Sequence, residues 1–194
     1  IESLARSGVG QCYLAVNHLS HVIEKHFADG SDFGVPIEYL REEQKMGTAG
    51  ALSLLPELPA GPLLVMNGDV LTTSNFANIY DYHINQTSKL TVASVEFHVQ
   101  IPYGVLHTEG QFLQGLEEKP SQSYYCNAGI YVLEQELLDE IPSRQYDMTD
   151  LIRDCLSAEE TVSVFPVHEY WSDIGTLSEL DKTRLFFEKA SEHD

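Results

Sequence analysis

The feature that most constrains the fold is a regular alternation of short apolar runs with helical spacing in the first hundred residues. Three apolar runs bounded by polar residues predict strands, at 11–17, 36–41 and 62–67. Helical spacing of apolar residues follows each run, at 20–27, 48–55 and 75–85. Because strands that alternate with helices pair in parallel, this order predicts an α/β fold whose sheet is covered on both faces.

The second half of the chain changes character. Gly110 lies between two short strand-like runs and predicts a β-hairpin. Further strands are predicted at 90–97, 126–133 and 162–167, and helices at 134–140, 147–156 and 177–190. No repeat or Ser/Pro-rich linker divides the chain, and 194 residues are enough for one core. We therefore predict a single domain, residues 1–194, with a mixed and mostly parallel central sheet.

The charge balance argues against several classes of partner. Lys and Arg number 11 against 30 Asp and Glu, a formal net charge of −19. Such a chain lacks the basic surface that binds nucleic acids or anionic lipids, so neither partner is expected. No apolar run approaches the roughly 20 residues of a membrane span. The three cysteines form no CxxC pair, which is typical of a protein in the reducing cytoplasm.

Two segments after predicted strands could bind a nucleotide and its metal. Residues 46–52 place small residues at a helix N-terminus, where free N–H groups suit a phosphate or a base edge. The alternative there is a tight turn that needs glycine, with Thr48 as a cap. Asp69 follows the most apolar run, where ligands of α/β sheets lie, and its carboxylate suits Mg²⁺. The alternative for Asp69 is a turn or a cap of the next helix.

Two later segments add a cation and a second carboxylate. Pro120 is expected to hold Lys119 in an extended backbone, which makes Lys119 a candidate phosphate ligand. The alternative is an ordinary solvated run of charges at 117–119. Asp173 lies beside Trp171, the only tryptophan, and is a candidate metal carboxylate or a helix N-cap. The eight histidines form no HxH or HExxH pair, which argues against a transition-metal site.

Taken in order, these segments resemble the sugar-nucleotide pyrophosphorylases, the sugar-1-phosphate nucleotidyltransferases. The motifs are GTAGAL from Gly47, NGD from Asn67, PYGV, EKP and NAGIYVL between 102 and 133, and WSDIGT from Trp171. They are most similar to the branch of mannose-1-phosphate and heptose-1-phosphate guanylyltransferases. The resemblance implies a Rossmann-like three-layer domain with a mixed central sheet.

The resemblance also implies the reaction and its residues. Asp69 and Asp173 would hold the Mg²⁺ that bridges the phosphates of an NTP and a sugar 1-phosphate, and Lys119 would contact the sugar phosphate. The attacking phosphate oxygen is already anionic, so the reaction needs alignment and charge neutralisation but no general base. The sugar pocket would be lined by Gly104, Glu118 and Asn127. The nucleotide would contact Glu42, Gly47 and Thr48.

The base is predicted from one side chain. Glu42 lies where related thymidylyl enzymes place a glutamine. A carboxylate only accepts hydrogen bonds, so it suits the adjacent N–H donors of guanine and repels the carbonyl edge of uracil or thymine. GTP is therefore expected to be preferred over UTP and dTTP.

Two expectations concern motifs of the family that residues 1–194 do not contain. The strongest signature of the family is a loop of the form GGxGTRL followed by a Pro-Lys-Pro segment, and residues 1–194 contain neither. Residues 1–8 have the pattern of a helix tail with Gly8 at its end. We therefore expect that the first strand and loop of the family fold are missing from this chain, and that residues 1–194 alone do not turn over.

Alternative functions stay open at this point. One is a pyrophosphorylase-like module that binds a nucleotide sugar or serves regulation without turnover. Another is a glycosyltransferase of related fold, although such an enzyme needs a DxD-type metal motif that 67–69 and 147–150 match poorly. The apolar residues of 177–187 suit packing on the chain's own sheet as well as on a second copy, so a homo-oligomer also stays open.

Overall fold

The computed structural model describes residues 1–175, 179–181 and 183–184. Its helices are α1 (Glu2–Arg6), α2 (Ser20–Phe27), α3 (Gly47–Gly50), α4 (Phe76–Ile84), α5 (Gln135–Glu140) and α6 (Met148–Ser157). Its strands are β1 (Cys12–Val16), β2 (Ile37–Arg41), β3 (Leu63–Met66), β4 (Val70–Thr72), β5 (Leu90–Gln100), β6 (Gly104–Glu109), β7 (Phe112–Glu118), β8 (Ser121–Leu133), β9 (Val162–Val167) and β10 (Trp171–Asp173). The predicted helix at 177–190 lies largely outside the described residues.

A four-stranded mixed sheet forms the centre of the domain, in the order β3-β8-β5-β9. Strand β8 is antiparallel to both β3 and β5, and β9 is parallel to β5. Three of the four strands therefore run in one direction and only β8 runs against them. The predicted mixed and mostly parallel sheet is confirmed.

Side chains alternate along β8, so apolar residues point to both faces of the sheet, and helices cover both faces. Tyr131 and Leu133 are buried in a core cluster that includes residues of α5 and α6. Ile130 and Val132 are buried in a second cluster that includes Phe76 of α4. The domain thus has the three layers that the strand–helix alternation predicts.

Smaller strand pairs surround the central sheet. Strands β1 and β2 are parallel, as the βαβ order predicts, while β6 and β7 form the predicted hairpin. Strands β4 and β10, from distant parts of the chain, form a short antiparallel ladder. No helix in the described part of the chain combines the length and apolar character that a bilayer span requires.

The structure departs from the predicted elements in several places: β4 and β10 are not predicted, and β5 extends three residues past 97. Strand β8 begins at Ser121, five residues before the predicted start at Cys126, because the exposed residues 121–125 pair with the end of β5 and carry no apolar pattern. The predicted helix at 48–55 is a single α-helical turn, α3, that continues as the 3₁₀ helix Ala51–Leu54. A 3₁₀ turn is a frequent ending of a short α-helix.

Candidate active site

The turn after β3 carries the first candidate carboxylate. Asn67 follows β3 directly, and its N–H donates to the carbonyl oxygen of Gly129 in β8 at 2.8 Å. Gly129 has a φ of +69°, and a Cβ on it would lie 2.8 Å from the side-chain nitrogen of Asn67. Only glycine fits there. Asp69 is exposed in the following turn, and α4 is capped by Asn75 instead, so the alternative of Asp69 as a helix cap is wrong.

The ladder of β4 and β10 brings the second candidate carboxylate to the same place. Asp173 is opposite Val70, and the N–H of Ile174 donates to the carbonyl oxygen of Asp69 at 2.8 Å. Asp69, directly before β4, and Asp173, the last residue of β10, are therefore neighbours in space although they are 104 positions apart in the sequence (69 to 173). Both residues are exposed at one end of the ladder.

Strand β8 anchors the ladder through a tryptophan. The indole Nε1 of Trp171 donates to the carbonyl oxygen of Ala128 at 2.8 Å. The segments that carry the two aspartates thus bind consecutive carbonyl groups, those of Ala128 and Gly129. Residues 67–69, 127–129 and 171–173, which we call the ladder group, come together at the C-terminal end of β3.

The Asn127 side chain is largely engaged within β8. Its Oδ1 accepts from the N–H of Gly129 at 2.9 Å, and its Nδ2 donates to the hydroxyl of Tyr131 at 2.8 Å. Burial raises the pKa of Tyr131, whose phenol therefore stays protonated. An amide has two donors and two acceptor lone pairs, so one of each remains for a sugar hydroxyl.

The hairpin of β6 and β7 joins the predicted sugar-pocket residues Gly104 and Glu118. They are opposite each other, and a Cβ at residue 104 would lie 3.0 Å from the Glu118 Oε2. Lys119 follows directly and is exposed. These three residues form the hairpin group.

The predicted extended backbone of Lys119 is wrong. Lys119 has a φ of +49°, and its N–H donates to the carbonyl oxygen of Tyr103 at 3.3 Å. The chain turns here from β7 into β8, and proline mainly disfavours the right-handed region for the residue before it. A left-handed lysine costs roughly 1–2 kcal/mol, and such strained residues cluster at functional sites.

The loop at α3 does not offer the free N–H groups that its sequence predicts. The N–H of Thr48 donates to the Asp147 side chain at 3.0 Å. The N–H groups of Ala49 and Gly50 both donate to the carbonyl oxygen of Tyr146, at 3.0 and 2.9 Å. The donors that we expect to bind a phosphate are therefore satisfied by residues 146 and 147.

Instead, the small residues of this loop allow a close approach to the start of α6. Gly47 has a φ of +78°, and a Cβ there would lie 2.5 Å from the Asp147 Oδ1. The Thr48 Oγ1 accepts from the N–H of Met148 at 2.9 Å. The alternative of Thr48 as a cap of its own helix is therefore wrong: Thr48 accepts from the first N–H of α6, whose N-cap is Asp147. Any contact of Gly47 and Thr48 with a nucleotide stays a prediction.

Glu42 is fixed at the C-terminal end of β2. Its N–H donates to the carbonyl oxygen of Val16, and its carboxylate Oε2 accepts from the N–H of Met46, both at 2.9 Å. Within the described residues, the Oε1 makes no hydrogen bond. One carboxylate oxygen is thus held while the other is available as an acceptor. Glu42, Gly47 and Thr48 form the loop group.

The structure brings the predicted residues together within each group but not across groups. Among the described residues, no hydrogen bond or ion pair links the ladder, hairpin and loop groups. A ligand that touches all of them would itself have to provide the bridge.

The donor set of the ladder group fits Mg²⁺. Within the part of the chain that the structure describes, no three His, Cys, Asp or Glu side chains share a position that could hold a metal. The chain offers two carboxylates, Asp69 and Asp173. Mg²⁺ characteristically binds one or two carboxylates together with waters and substrate phosphates, and seldom an all-protein cage.

Comparison with known proteins decides the family. Residues 1–190 match the family model described as nucleotidyl transferase. The chain belongs to this family. It is 29% identical over 185 residues to a mannose-1-phosphate guanylyltransferase of Mycobacterium tuberculosis, which covers 91% of this chain and 51% of that protein. It is 32% identical over 183 residues to the mannose-1-phosphate guanyltransferase of Yarrowia lipolytica, with 90% and 50% covered.

Solved structures confirm the nucleotidyltransferase fold. A putative glucose-1-phosphate thymidylyltransferase from Bacillus anthracis superposes with a TM-score of 0.73 at 22% identity, over 95% of this chain and 79% of that one. HddC from Yersinia pseudotuberculosis gives 0.71 at 19% identity, over 96% and 82%. The chain spans about half the length of the curated relatives it matches.

The sequence does not predict the residues that hold the candidate site together. Trp171 was singled out only as the neighbour of Asp173, and neither Ala128 nor Gly129 was assigned a role. The available signal was glycine in the middle of an apolar strand, at position 129, which indicates a bulge or a close backbone approach. Asp147 was likewise missed because its partner, Thr48, is 99 residues away.

Proposed function

We propose that this nucleotidyl transferase domain serves the transfer of a nucleotidyl group from an NTP to a sugar 1-phosphate, giving an NDP-sugar and pyrophosphate. The observation that carries the proposal is the meeting of Asp69 and Asp173 at one end of the β4–β10 ladder. The mannose-1-phosphate guanylyltransferases among the relatives support it.

The chemistry requires little from the protein beyond alignment. A phosphate oxygen of the sugar 1-phosphate forms a bond to the α-phosphorus of the NTP. The bond from that phosphorus to the bridging oxygen breaks, and pyrophosphate leaves with the electron pair. No proton is transferred in this step, so no general base is needed.

The ladder and hairpin groups would neutralise the charge of the reacting phosphates. Asp69 and Asp173 would hold Mg²⁺, which when bound supplies Lewis-acid stabilisation of the phosphate oxygens. Lys119 is exposed and forms no ion pair with another described residue, so its ammonium group is available to the sugar phosphate. The two carboxylates would position the Mg²⁺, and the lysine would attract the sugar phosphate directly.

The sugar would lie between the hairpin and β8. Glu118 offers carboxylate oxygens to the sugar hydroxyls, while Gly104 lets a ligand approach the backbone closely. Asn127 contributes the donor and the acceptor that its contacts with Gly129 and Tyr131 leave over. These groups suit many hexoses and heptoses alike.

GTP is the proposed nucleotide. The held carboxylate of Glu42 presents one oxygen as an acceptor, which suits the N1–H and N2–H groups of guanine. The N–H of Thr48 is engaged by the Asp147 side chain, so Gly47 and Thr48 would contribute by packing against the nucleotide. Guanylyltransferase relatives support this choice of base.

A second candidate is a binding domain without turnover. The ladder and hairpin groups contain one cationic side chain, Lys119, against three carboxylates: Asp69, Glu118 and Asp173. A triphosphate and a sugar phosphate together bring far more negative charge than one lysine neutralises. We therefore propose that residues 1–194, taken alone, bind these ligands without releasing pyrophosphate.

One experiment separates the candidates. The 194-residue chain and the full-length protein are each mixed with GTP, Mg²⁺ and a panel of sugar 1-phosphates, and pyrophosphate release and heat of binding are measured. Release by the full-length protein but only binding by the chain is expected. Sugar transfer from an NDP-sugar to an acceptor, or no Mg²⁺-dependent binding by either form, would contradict the proposal.

A further inference from the structure

The strands that carry the two aspartates are too short to hold them in place unaided. Strands β4 and β10 have three residues each, and among the described strands they pair only with each other. A two-stranded ladder is marginally stable in water even when it is longer than this. The separation of Asp69 and Asp173 therefore depends on what holds the ladder to the core.

A bulge in β8 provides that support. Val92 of β5 is opposite Tyr131, but Ser94 is opposite Asn127, so three residues of β8 oppose the single Ala93. A bulge disrupts the regular ladder and re-aims the groups within it. Within the bulge, the carbonyl group of Ala128 accepts a hydrogen bond from a side chain outside the sheet, while that of Gly129 continues the pairing of β8 with the chain after β3.

The bulge holds both aspartate segments through those two carbonyl groups. Asn67, two residues before Asp69, donates its N–H to Gly129 at 2.8 Å. Trp171, two residues before Asp173, donates its indole N–H to Ala128 at the same distance. These two carbonyl groups belong to consecutive residues, whose Cα atoms are about 3.8 Å apart. The two aspartate segments are therefore held close to each other.

The bulge itself is braced. The Asn127 amide binds the N–H of Gly129 inside the bulge and the hydroxyl of Tyr131 on its far side. The Trp171 ring also packs, half-buried, against the core cluster that contains Phe76 and Ala128. The hydrogen bond of the indole is directional, so it fixes the position of Trp171 more closely than apolar packing alone does.

We propose that Trp171 is a positioning residue for the metal site: its bond to Ala128 sets the place of Asp173 relative to Asp69. The inference rests on the proposed function, because it assumes that these two carboxylates hold a divalent cation. Trp171 touches no substrate atom in this account. It acts through Asp173.

The test measures binding of Mn²⁺ alone, by the loss of its free EPR signal, to four forms of the chain: wild type, Trp171→Phe, Asp173→Asn and the double variant. Phenylalanine keeps one aromatic ring against the core cluster and removes the donor. We expect Trp171→Phe to weaken binding about tenfold, at the lower end for a residue outside the ligand shell. In the Asp173→Asn background it should change affinity no further, because its effect passes through Asp173.

Each result has one meaning. If Asp173→Asn leaves Mn²⁺ affinity unchanged, the proposed metal site, and with it the proposed function, is wrong. If Asp173→Asn weakens binding but Trp171→Phe does not, only the positioning role is overturned. Equal losses from Trp171→Phe in both backgrounds would indicate a general structural effect and would also overturn it.

Two further variants serve as a control and as a substitute for Trp171→Phe. Tyr82→Phe is the matched control, because the Tyr82 hydroxyl also donates from an aromatic side chain to a backbone carbonyl, that of Val164, away from the ladder. It should leave Mn²⁺ affinity unchanged. If Trp171→Phe does not fold, Asn127→Ala releases the bulge from the acceptor side, and it too should weaken Mn²⁺ binding; unchanged affinity would overturn the inference.

Discussion

The N–H of Ile174 donates to the carbonyl oxygen of Asp69 at 2.8 Å, and this bond closes the ladder of β4 and β10 at its end. It makes Asp173 the neighbour of Asp69 in space across 104 positions of sequence (69 to 173). The proposed metal site follows from this adjacency.

The first prediction concerns the two carboxylates. Asp69→Asn and Asp173→Asn should each remove most of the Mg²⁺-dependent pyrophosphate release of the full-length protein, because an amide is a poor ligand for Mg²⁺. Both side chains are exposed, so the free energy of unfolding should change by no more than about 0.5 kcal/mol. Asp32→Asn, an exposed carboxylate elsewhere, is the control. Near-normal release by either site variant would contradict the assignment.

The second prediction concerns the base. Glu42→Gln keeps an oxygen that accepts from the N–H of Met46 but adds an amide donor, which suits the carbonyl edge of uracil or thymine. Competition binding should show the preference for GTP over UTP reduced in this variant. Glu43→Gln, which makes the same change on an exposed neighbour, should leave it unaltered. Tighter binding of UTP than of GTP by the wild-type chain would overturn the choice of base.

The third prediction separates strain from function at Lys119. Lys119→Gly removes the cost of a side chain at a φ of +49°, so urea unfolding should show an increase in stability of up to about 1 kcal/mol. Lys119→Ala keeps the strain and should not be stabilised. Both variants lose the ammonium group and should bind sugar 1-phosphate more weakly. Unchanged binding in both would show that Lys119 is not a phosphate ligand.

The fourth prediction concerns the close approach at the bulge. Gly129→Ala places a Cβ 2.8 Å from the Asn67 side chain at a φ of +69°, so a loss of about 2 kcal/mol in the free energy of unfolding is expected. Gly115→Ala, where the nearest atom would be 3.7 Å away, is the matched control and should cost well under half as much. Equal losses for the two variants would contradict the packing described for residues 67 and 129.

The fifth prediction concerns pH. His83 in α4 is fully buried, its Nδ1 lies 2.7 Å from the Thr91 Oγ1, and its Nε2 lies 3.3 Å from the Glu134 Oε1. Burial lowers the pKa of His83, and the Glu134 carboxylate opposes this shift only in part. The folded state therefore favours the neutral imidazole. Its contribution to stability is complete above pH 6.5 and is lost as the pH falls from there towards the lowered pKa.

Urea unfolding at several pH values between 7.5 and about 5 measures this loss. His83→Gln removes the titrating group and should flatten the dependence in that window, whatever its effect on absolute stability. An unchanged slope in the variant would show that other groups cause the acid sensitivity.

The sequence predicts the central architecture well because burial imposes a pattern. Strand β3 is an apolar run, and the strand–helix alternation leaves few topologies for a sheet with two covered faces. An apolar pattern gives no signal for strand residues that are not buried. Residues 121–125 form strand by pairing with β5 while exposed to solvent, so their side chains carry no trace of it.

The positions of the two aspartates could be predicted from the sequence, but the contacts that support them could not. Asp69 and Asp173 follow from position and chemical type, whereas the bond of Trp171 to Ala128 depends on a bulge that only the folded register creates. For the loop at α3, the sequence predicts a binding feature that the structure does not have. Its glycines suggest free N–H groups, but they serve the packing of residues 144–147, which a local pattern does not contain.

The most direct test of the central claim is the anomalous scattering of Mn²⁺ in crystals of the protein grown with GTP. We expect a single strong peak at the ladder of β4 and β10, about 2.1 Å from a carboxylate oxygen of Asp69 and from one of Asp173. A peak bound by other side chains would show that the two aspartates do not form the metal site.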